Sequence, residues 1–446
     1  MDFWFTAWLV LVLAAVVQAA LLAMQTFEHR RFARSRLTKP RTEPMHARIA
    51  LFAPCKGFDL ELEQNLRPLL EQDYLNYSVT FIVESSDDPA AQTIRQLIAR
   101  HGDARARLLV AGKATDTGQK VHNLLAATAE LPPDVEILAF VDSDARPRPQ
   151  WLRLLAQRLD RPEAGAATGY RWFIPQRPTL ANHLLYSINA AAAVLVGPGD
   201  RHLVWGGSWA IRRDALVASG LRESWRQTLS DDLVAARVLA QSKQRVEFEP
   251  ACMLASPLDN TLLQTFLFAR RQYVIGRFYS PAFWWLGLAA VVGWNIAFWT
   301  SSIATLNALA AGGTGALIPA AACVALWGVN VARGLLRRNL ALLYFPEHRA
   351  AIQAASRMDI WASPLVAFVN CVALVSSAFG KNLTWRGITY RLRRGGRVRI
   401  VARQEMAPPR YDTPSQVRID VAAAAMTSQT HNHLASRFTA AQDRKD

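Results

Sequence analysis

Cysteine is scarce in this chain and never clustered. Cys55, Cys252, Cys323 and Cys371 are its only four, at spacings that fit neither a zinc ligand set nor a redox motif. They are expected to be buried, reduced and chemically idle. Charge is also sparse, at 19% of 446 residues, and no internal repeat is present, which excludes disordered and fibrous classes. Between residues 50 and 250 no basic stretch alternates with aromatics, so a nucleic-acid-binding face is not expected there.

Hydrophobic residues make up 51% of the chain. Residues 3–24 carry no charge, and a run of that length, rising ~1.5 Å per residue, crosses a ~30 Å hydrocarbon core. Arg30, Arg31, Arg34 and Arg36 follow the run instead of preceding it. A retained anchor is therefore expected in the cell inner membrane, with the N-terminus outside and the following domain cytoplasmic. Further candidate spans are residues 283–306, 317–332 and 360–379. Residues 188–196 are apolar but too short to cross, as in a buried or membrane-skimming helix.

Thirteen of the sixteen net positive charges lie in two segments beside these runs. Residues 28–48 hold seven Lys/Arg against Glu28 and Glu43, and residues 381–403 hold eight with no acid. Anionic headgroups suit them, at roughly 1 kcal/mol per basic residue near the surface. Four full spans would leave 381–403 on the outer side, against the positive-inside tendency. Either one span is re-entrant, or the segment lies on the far leaflet. The expected organisation is an anchor (1–28), a basic linker (29–46), an α/β domain (47–280), membrane helices (281–380), a basic membrane-proximal segment (381–404) and a loosely ordered polar tail (405–446).

Within the α/β domain, apolar runs at residues 49–53, 79–83, 108–110 and 137–141 alternate with helical spacing at 60–70, 90–100 and 120–129. That pattern predicts β-α-β units, a Rossmann-like fold with a mostly parallel sheet. Ligands of such sheets bind beyond the carboxyl ends of the strands. Lys56-Gly57, Glu84 with Asp87 and Asp88, and Asp142-Ser143-Asp144 all fall there.

Two acids at the spacing of Asp142 and Asp144 are common in solvated loops; their place at the end of an apolar strand is what singles them out. Hard Mg²⁺ or Mn²⁺ takes oxygen ligands, and a diphosphate needs its charge neutralised. Asp231 and Asp232 follow Ser230 at the start of a helical run, where acids cap free amides. Capping and proton acceptance are compatible, because a carboxylate fixed at a helix start is oriented to act as a general base. Gly206-Gly207 reads as a turn that also lets backbone approach a ligand closely. Lys56 and Lys120 offer cations for a diphosphate.

The ordered set Lys56-Gly57, Ser86-Asp87-Asp88-Pro89-Ala90, Gly112-Lys113, Lys120-Val121-His122-Asn123-Leu124, Asp142-Ser143, Gly207-Ser208, Arg212-Arg213-Asp214-Ala215-Leu216 and Asp231-Asp232 resembles the ceramide glucosyltransferases and related family 2 glycosyltransferases. Trp385-Arg386-Gly387-Ile388-Thr389-Tyr390-Arg391-Leu392-Arg393 resembles that family's closing motif. The resemblance implies a GT-A fold, a UDP-sugar donor, a divalent metal (Mg²⁺ or Mn²⁺) and inversion at the anomeric carbon. It places Glu84, Asp87 and Asp88 at the nucleotide, Asp142 and Asp144 at the diphosphate and metal, and Asp232 as base beside Asp231. Asp144 departs from the animal ceramide enzymes, where the second acid is absent. The family's Gln/Arg-x-x-Arg-Trp motif is replaced here by Ala269-Arg270-Arg271-Gln272-Tyr273, which leaves Arg270, Arg271 and Tyr273 as candidate acceptor or diphosphate contacts.

The leading expectation is a hexosyl transfer to a membrane lipid: ceramide, a hopanoid, diacylglycerol or another lipid alcohol. A processive polysaccharide synthase and a catalytically inactive scaffold or lipid-binding protein remain open alternatives.

Overall fold

The structure is a computed structural model that describes residues 3–38, 45–57, 61–102, 104–161, 163–200 and 202–404. The expected tail 405–446 and part of the linker 29–46 lie outside them. A long helix, α1 (Phe3–Thr38), leads into a seven-stranded sheet. Its strands are β1 (Arg48–Pro54), β2 (Tyr77–Val83), β3 (Ala106–Val110), β4 (Val135–Val141), β5 (Ala164–Pro175), β6 (Ser208–Arg212) and β7 (Arg245–Leu258), in the order β3-β2-β1-β4-β6-β5-β7. The pairs β1/β2, β1/β4, β2/β3 and β5/β7 are parallel; β6 runs antiparallel between β4 and β5. This is the α/β, mostly parallel class expected.

The first four strands coincide with the four apolar runs. Along β1, Ile49, Leu51 and Ala53 face one core while Ala50 and Phe52 face the other, the two-residue alternation of a strand covered on both sides. On the second face Phe140 stacks on Trp209 with centroids 4.4 Å apart and meets Phe52 at 5.6 Å. Helices α2 (Leu62–Leu66), α3 (Pro89–His101), α4 (Gln119–Ala127) and α5 (Trp151–Leu159) connect the strands. The helix expected over 60–70 is cut short at Leu66 and continues as a 3-10 turn with Pro68, because proline donates no backbone hydrogen bond.

The apolar residues 188–196 fall at the end of α6 (Leu180–Ala193), where Ala190, Ala193, Val194 and Val196 are buried in a core shared with Tyr344 and Ile352. Those four pack inside the protein, while Leu195 is exposed. After α7 (Arg213–Ala218), α8 (Leu221–Trp225) and α9 (Asp231–Gln241), helix α10 (Leu262–Tyr279) runs through Ser280 into α11 (Pro281–Ala310), followed by α12 (Leu317–Tyr344). Helices α1, α11 and α12 are long and apolar enough to cross a membrane, with mean hydropathies of 2.5, 1.4 and 1.4 over their best windows. Trp294 is 7% exposed and stacked on Phe298, so it serves packing, whereas Trp285 is exposed.

The expected third C-terminal span, 360–379, is broken. Helices α13 (Arg349–Trp361) and α14 (Ser363–Ser376) belong to a pair bent by 84°. Pro364 at the start of α14 supplies the physical reason.

The basic segment 381–403 forms an antiparallel sheet of β8 (Asn382–Trp385), β9 (Ile388–Leu392) and β10 (Val398–Arg403). Leu383, Ile388, Tyr390, Leu392 and Val398 join the core of the α/β domain. Arg403 donates to Glu84 at 3.0 Å and to the Ala114 carbonyl at 2.8 Å. The segment is thus part of the domain and shares its side of any membrane, while Arg391, Arg393, Arg394, Arg397 and Arg399 remain exposed. Among the described residues none of the four cysteines forms a disulfide, and Cys55 and Cys252 are buried.

Candidate active site

A cavity of about 340 Å³ lies beyond the carboxyl ends of β1 and β4. The strand ends deliver Cys55, Lys56, Asp142 and Asp144, and α4 delivers Gln119, Lys120 and Asn123. Arg171 and Phe173 of β5, Phe268, Arg271 and Gln272 of α10, and Trp385, Arg386 and Tyr390 of the C-terminal sheet close the remaining walls.

Lys120 is the hub. Its Nζ lies 2.7 Å from Asp142 Oδ1 and 3.0 Å from Asp231 Oδ2, and donates to the Gly206 carbonyl at 3.1 Å. Alignment toward Asp231 is poor, leaving Oδ2 without a proper hydrogen bond, so that contact is an ion pair. Burial alone would favour neutral Lys120, but Asp142, Asp231 and Asp232 raise its pKa and keep it charged. Burial also works against ionised Asp142; Lys120, then Arg171 and Arg386, outweigh it and hold the carboxyl below its usual range.

Asp231 is pushed the other way. Burial, opposed by Lys120 but reinforced by Asp232 and Asp142, lifts its pKa to about 7. A folded-state pKa above the ordinary 3.8 contributes stability that is full below the ordinary value and lost as pH rises through about 7. Melting curves of the detergent-solubilised protein are therefore expected to show a decline over that window that Asp231→Asn flattens; an unchanged slope in the variant would contradict the assignment.

Asp232 sits in the first turn of α9. Its Oδ2 accepts from the Gly206 N–H at 3.1 Å, and its Oδ1 accepts from Leu233 N–H at 2.8 Å and the Ser230 hydroxyl at 2.5 Å. Ser230 caps the helix, so the capping geometry is present and itself orients Asp232. The two glycines are required by closeness: a Cβ on Gly206 would lie 2.7 Å from both Asp231 Oδ2 and Lys120 Nζ, and one on Gly207 would strike the Trp205 ring and come within 2.9 Å of Asp142 Oδ2.

Other expected residues divide. Lys56 lines the cavity and is ion-paired with Glu84, which also receives Arg403. Asp88 caps α3, its Oδ1 accepting from Ala90 N–H at 2.9 Å and Gly57 N–H at 2.7 Å; it ties the Lys56-Gly57 turn to that helix. Asp87 stands on an exposed loop beside Ser85 and Ser86. Asp144 lines the cavity with Arg171 Nη1 at 3.7 Å. Arg271 faces the cavity, but Arg270 donates to the Phe379 carbonyl at 2.8 Å and Tyr273 bonds Asn370. Both tie α10 to the α14 region instead, since adjacent helical residues point in different directions.

Among the described residues no group of three or more His, Cys, Asp or Glu side chains could hold a metal. Asp142 and Asp144 fit the leaner pattern in which a hard cation takes one or two carboxylates and fills its remaining positions with water and substrate phosphates. Arg171 and Gln119 were not singled out from the sequence, and no local motif marks Arg171.

Fold and apolar helices together define a class: a mostly parallel α/β domain joined to helices able to cross a membrane. The chain belongs to glycosyl transferase family 21, whose model matches residues 9–398. It is similar to ceramide glucosyltransferase 1 of Caenorhabditis elegans, 28% identical over 89 residues, covering 20% of this chain and 19% of that protein. Ceramide glucosyltransferase 3 of the same organism is 25% identical over 79 residues, covering 18% and 17% respectively. The chain thus matches under a fifth of each relative's length. A mannosyltransferase of Pyrobaculum calidifontis solved with GDP-Man and Mn²⁺ is 17% identical, with a TM-score of 0.40, covering 79% of this chain and 99% of that one.

Proposed function

We propose that the chain is an inverting glycosyltransferase that moves a hexose from a UDP-sugar to a hydroxyl of a membrane lipid, giving a β-linked glycolipid. The observation that carries this reading is the Gly206 peptide. Its carbonyl accepts from Lys120, which is paired with Asp142, and its N–H holds Asp232. One turn thereby fixes the cation on the diphosphate side and the base on the acceptor side.

Asp232 takes the proton of the acceptor hydroxyl as that oxygen attacks C1 of the sugar from the face opposite the diphosphate. The C1–O bond to the diphosphate breaks, and its electron pair leaves with the nucleotide. Lys56 and Lys120 stand where that negative charge collects. Asp142 and Asp144 would hold a divalent cation, which when bound neutralises the diphosphate. The names of the relatives support a lipid acceptor of the ceramide kind, with hopanoids and other lipid alcohols equally served by the chemistry. Apolar surface supports it too: Phe173, Leu258 and Phe268 line the cavity, Leu262, Leu263 and Leu267 are exposed on α10, and α10 leads directly into α11.

In this reading the domain is cytoplasmic, α1, α11 and α12 cross the membrane, and the bent pair α13/α14 enters and returns. Both ends of the domain then share one side, and the exposed arginines of the C-terminal sheet meet anionic headgroups. Reaction products made with radiolabelled UDP-hexoses and membrane lipid extract test the acceptor. A lipid carrying a single hexose is expected in the organic phase; a long polymer in the aqueous phase would favour a processive synthase and overturn the lipid reading.

A further inference from the structure

We propose that Arg171 and Arg271 form a two-arginine clamp on the diphosphate of the donor, built around the shared ring of Phe268. The inference rests on the donor reading above and adds a residue from β5 to the site. Both side chains line the cavity that holds Asp142 and Asp144. The guanidinium of Arg171 lies 5.4 Å from the Phe268 centroid and that of Arg271 lies 5.1 Å from it. Arg171 also packs over Phe173 at 4.9 Å and Trp205 at 5.3 Å, and Arg271 over Trp385 at 5.6 Å. Two like charges are thus held rigidly against the same ring.

Local carboxylates neutralise them only in part. Arg171 has Asp144 at 3.7 Å, beyond hydrogen-bond reach, and among the described residues no carboxylate lies within ion-pair distance of Arg271. Burial, with Arg171 and Arg386 adding repulsion and Asp144 opposing them, lowers the Arg271 pKa to about 10, which still leaves it charged at neutral pH. Like charges held together in a half-buried site without a full complement of acids are unfavourable until an anion arrives. A diphosphate matches: planar guanidinium groups present paired donors to phosphate oxygens, and aromatic faces keep them oriented.

The placement of Arg171 is built into the strand. The β5/β7 pairing shifts register between Thr168 and Tyr170, and a Cβ on Gly169 would run into the Cys252 carbonyl, so only glycine fits where β5 re-aims the following residues. Arg171 then pairs opposite Leu254 and reaches the cavity. On α10, where the resembled family has Arg-Trp, this chain has Gln272-Tyr273. The clamp puts the positive charge on the preceding residue and on the neighbouring strand.

Titration calorimetry of the detergent-purified full chain with UDP and with uridine, each with and without Mn²⁺, tests it on wild type, Arg171→Gln, Arg171→Lys and Arg271→Gln. The clamp predicts UDP affinity lowered about tenfold or more in each Gln variant with uridine affinity unchanged, and partial recovery in Arg171→Lys, which keeps charge without the paired donors. It also predicts that chelating the metal weakens UDP binding more in Arg171→Gln than in wild type. Equal UDP affinity in wild type and both Gln variants overturns the clamp, as does a parallel loss of uridine binding, which would mark a structural role. Failure of wild type to bind UDP would instead sink the donor reading itself.

Discussion

Asp232→Asn is expected to lower kcat by about 10²–10⁴-fold, the usual worth of a positioned general base, while leaving donor binding nearly intact. The substitution is close to isosteric. One amide atom can still accept from Leu233 N–H and the Ser230 hydroxyl, as Asp232 Oδ1 does, so the start of α9 should hold. The other atom becomes a donor facing the Gly206 N–H, a local cost of about 1–3 kcal/mol unless the amide turns or a water intervenes. Steady-state kinetics separate the two effects: a base is lost as kcat, a disturbed turn as donor KM. Retention of most of the wild-type kcat would remove Asp232 from the proposed role.

Lys120→Met carries the largest expected cost in stability. Lys120 joins Asp142 and Asp231 with side chains 13%, 24% and 4% exposed, so removing the ammonium strands one buried and one partly buried carboxylate. Breaking a buried pair from one side typically costs about 3–5 kcal/mol. Adding Asp231→Asn to Lys120→Met should restore part of the loss, because the stranded charge goes with it, and the two changes should be strongly non-additive. Thermal unfolding of the four proteins in one detergent measures this. Additive losses would show that Lys120 is not the hub of the network.

How much of this was legible in the sequence depends on what holds each element. The strands β1 to β4 are continuous apolar runs buried on both faces, and such runs announce themselves. Strand β5 does not: Ala164-Gly165-Ala166-Ala167-Thr168-Gly169 is rich in small residues because Gln244 and Cys252 press against its backbone, and it is held by long-range pairing with β7. Arg171 was invisible for the same reason. Strand β9 did carry a signal. Ile388, Tyr390 and Leu392 are buried while Arg391 is exposed, a two-residue alternation hidden by the density of arginine around it. Charge alone points the segment toward a membrane surface and says nothing of its apolar face, which joins the domain core.

The site followed the same division. Asp142, Asp144 and Lys56 are legible as candidates because strand ends are predictable places, and Asp231 and Asp232 because a helix start is. The sequence marks Lys120 only as a cation near a diphosphate. Its place between two acids depends on α4 and α9 meeting across the Gly206 turn, a long-range fact. The motif resemblance groups Arg270 and Tyr273 with Arg271, whereas α10 turns those two toward α14 and its end.

The most direct measurement is UDP release by the purified full chain given a panel of UDP-sugars, membrane lipid extract and Mn²⁺, run beside Asp232→Asn. The account predicts release that requires lipid and one preferred sugar and that falls by at least about a hundredfold in the variant. Release at equal rates in both proteins, or none with any sugar and lipid, would contradict it.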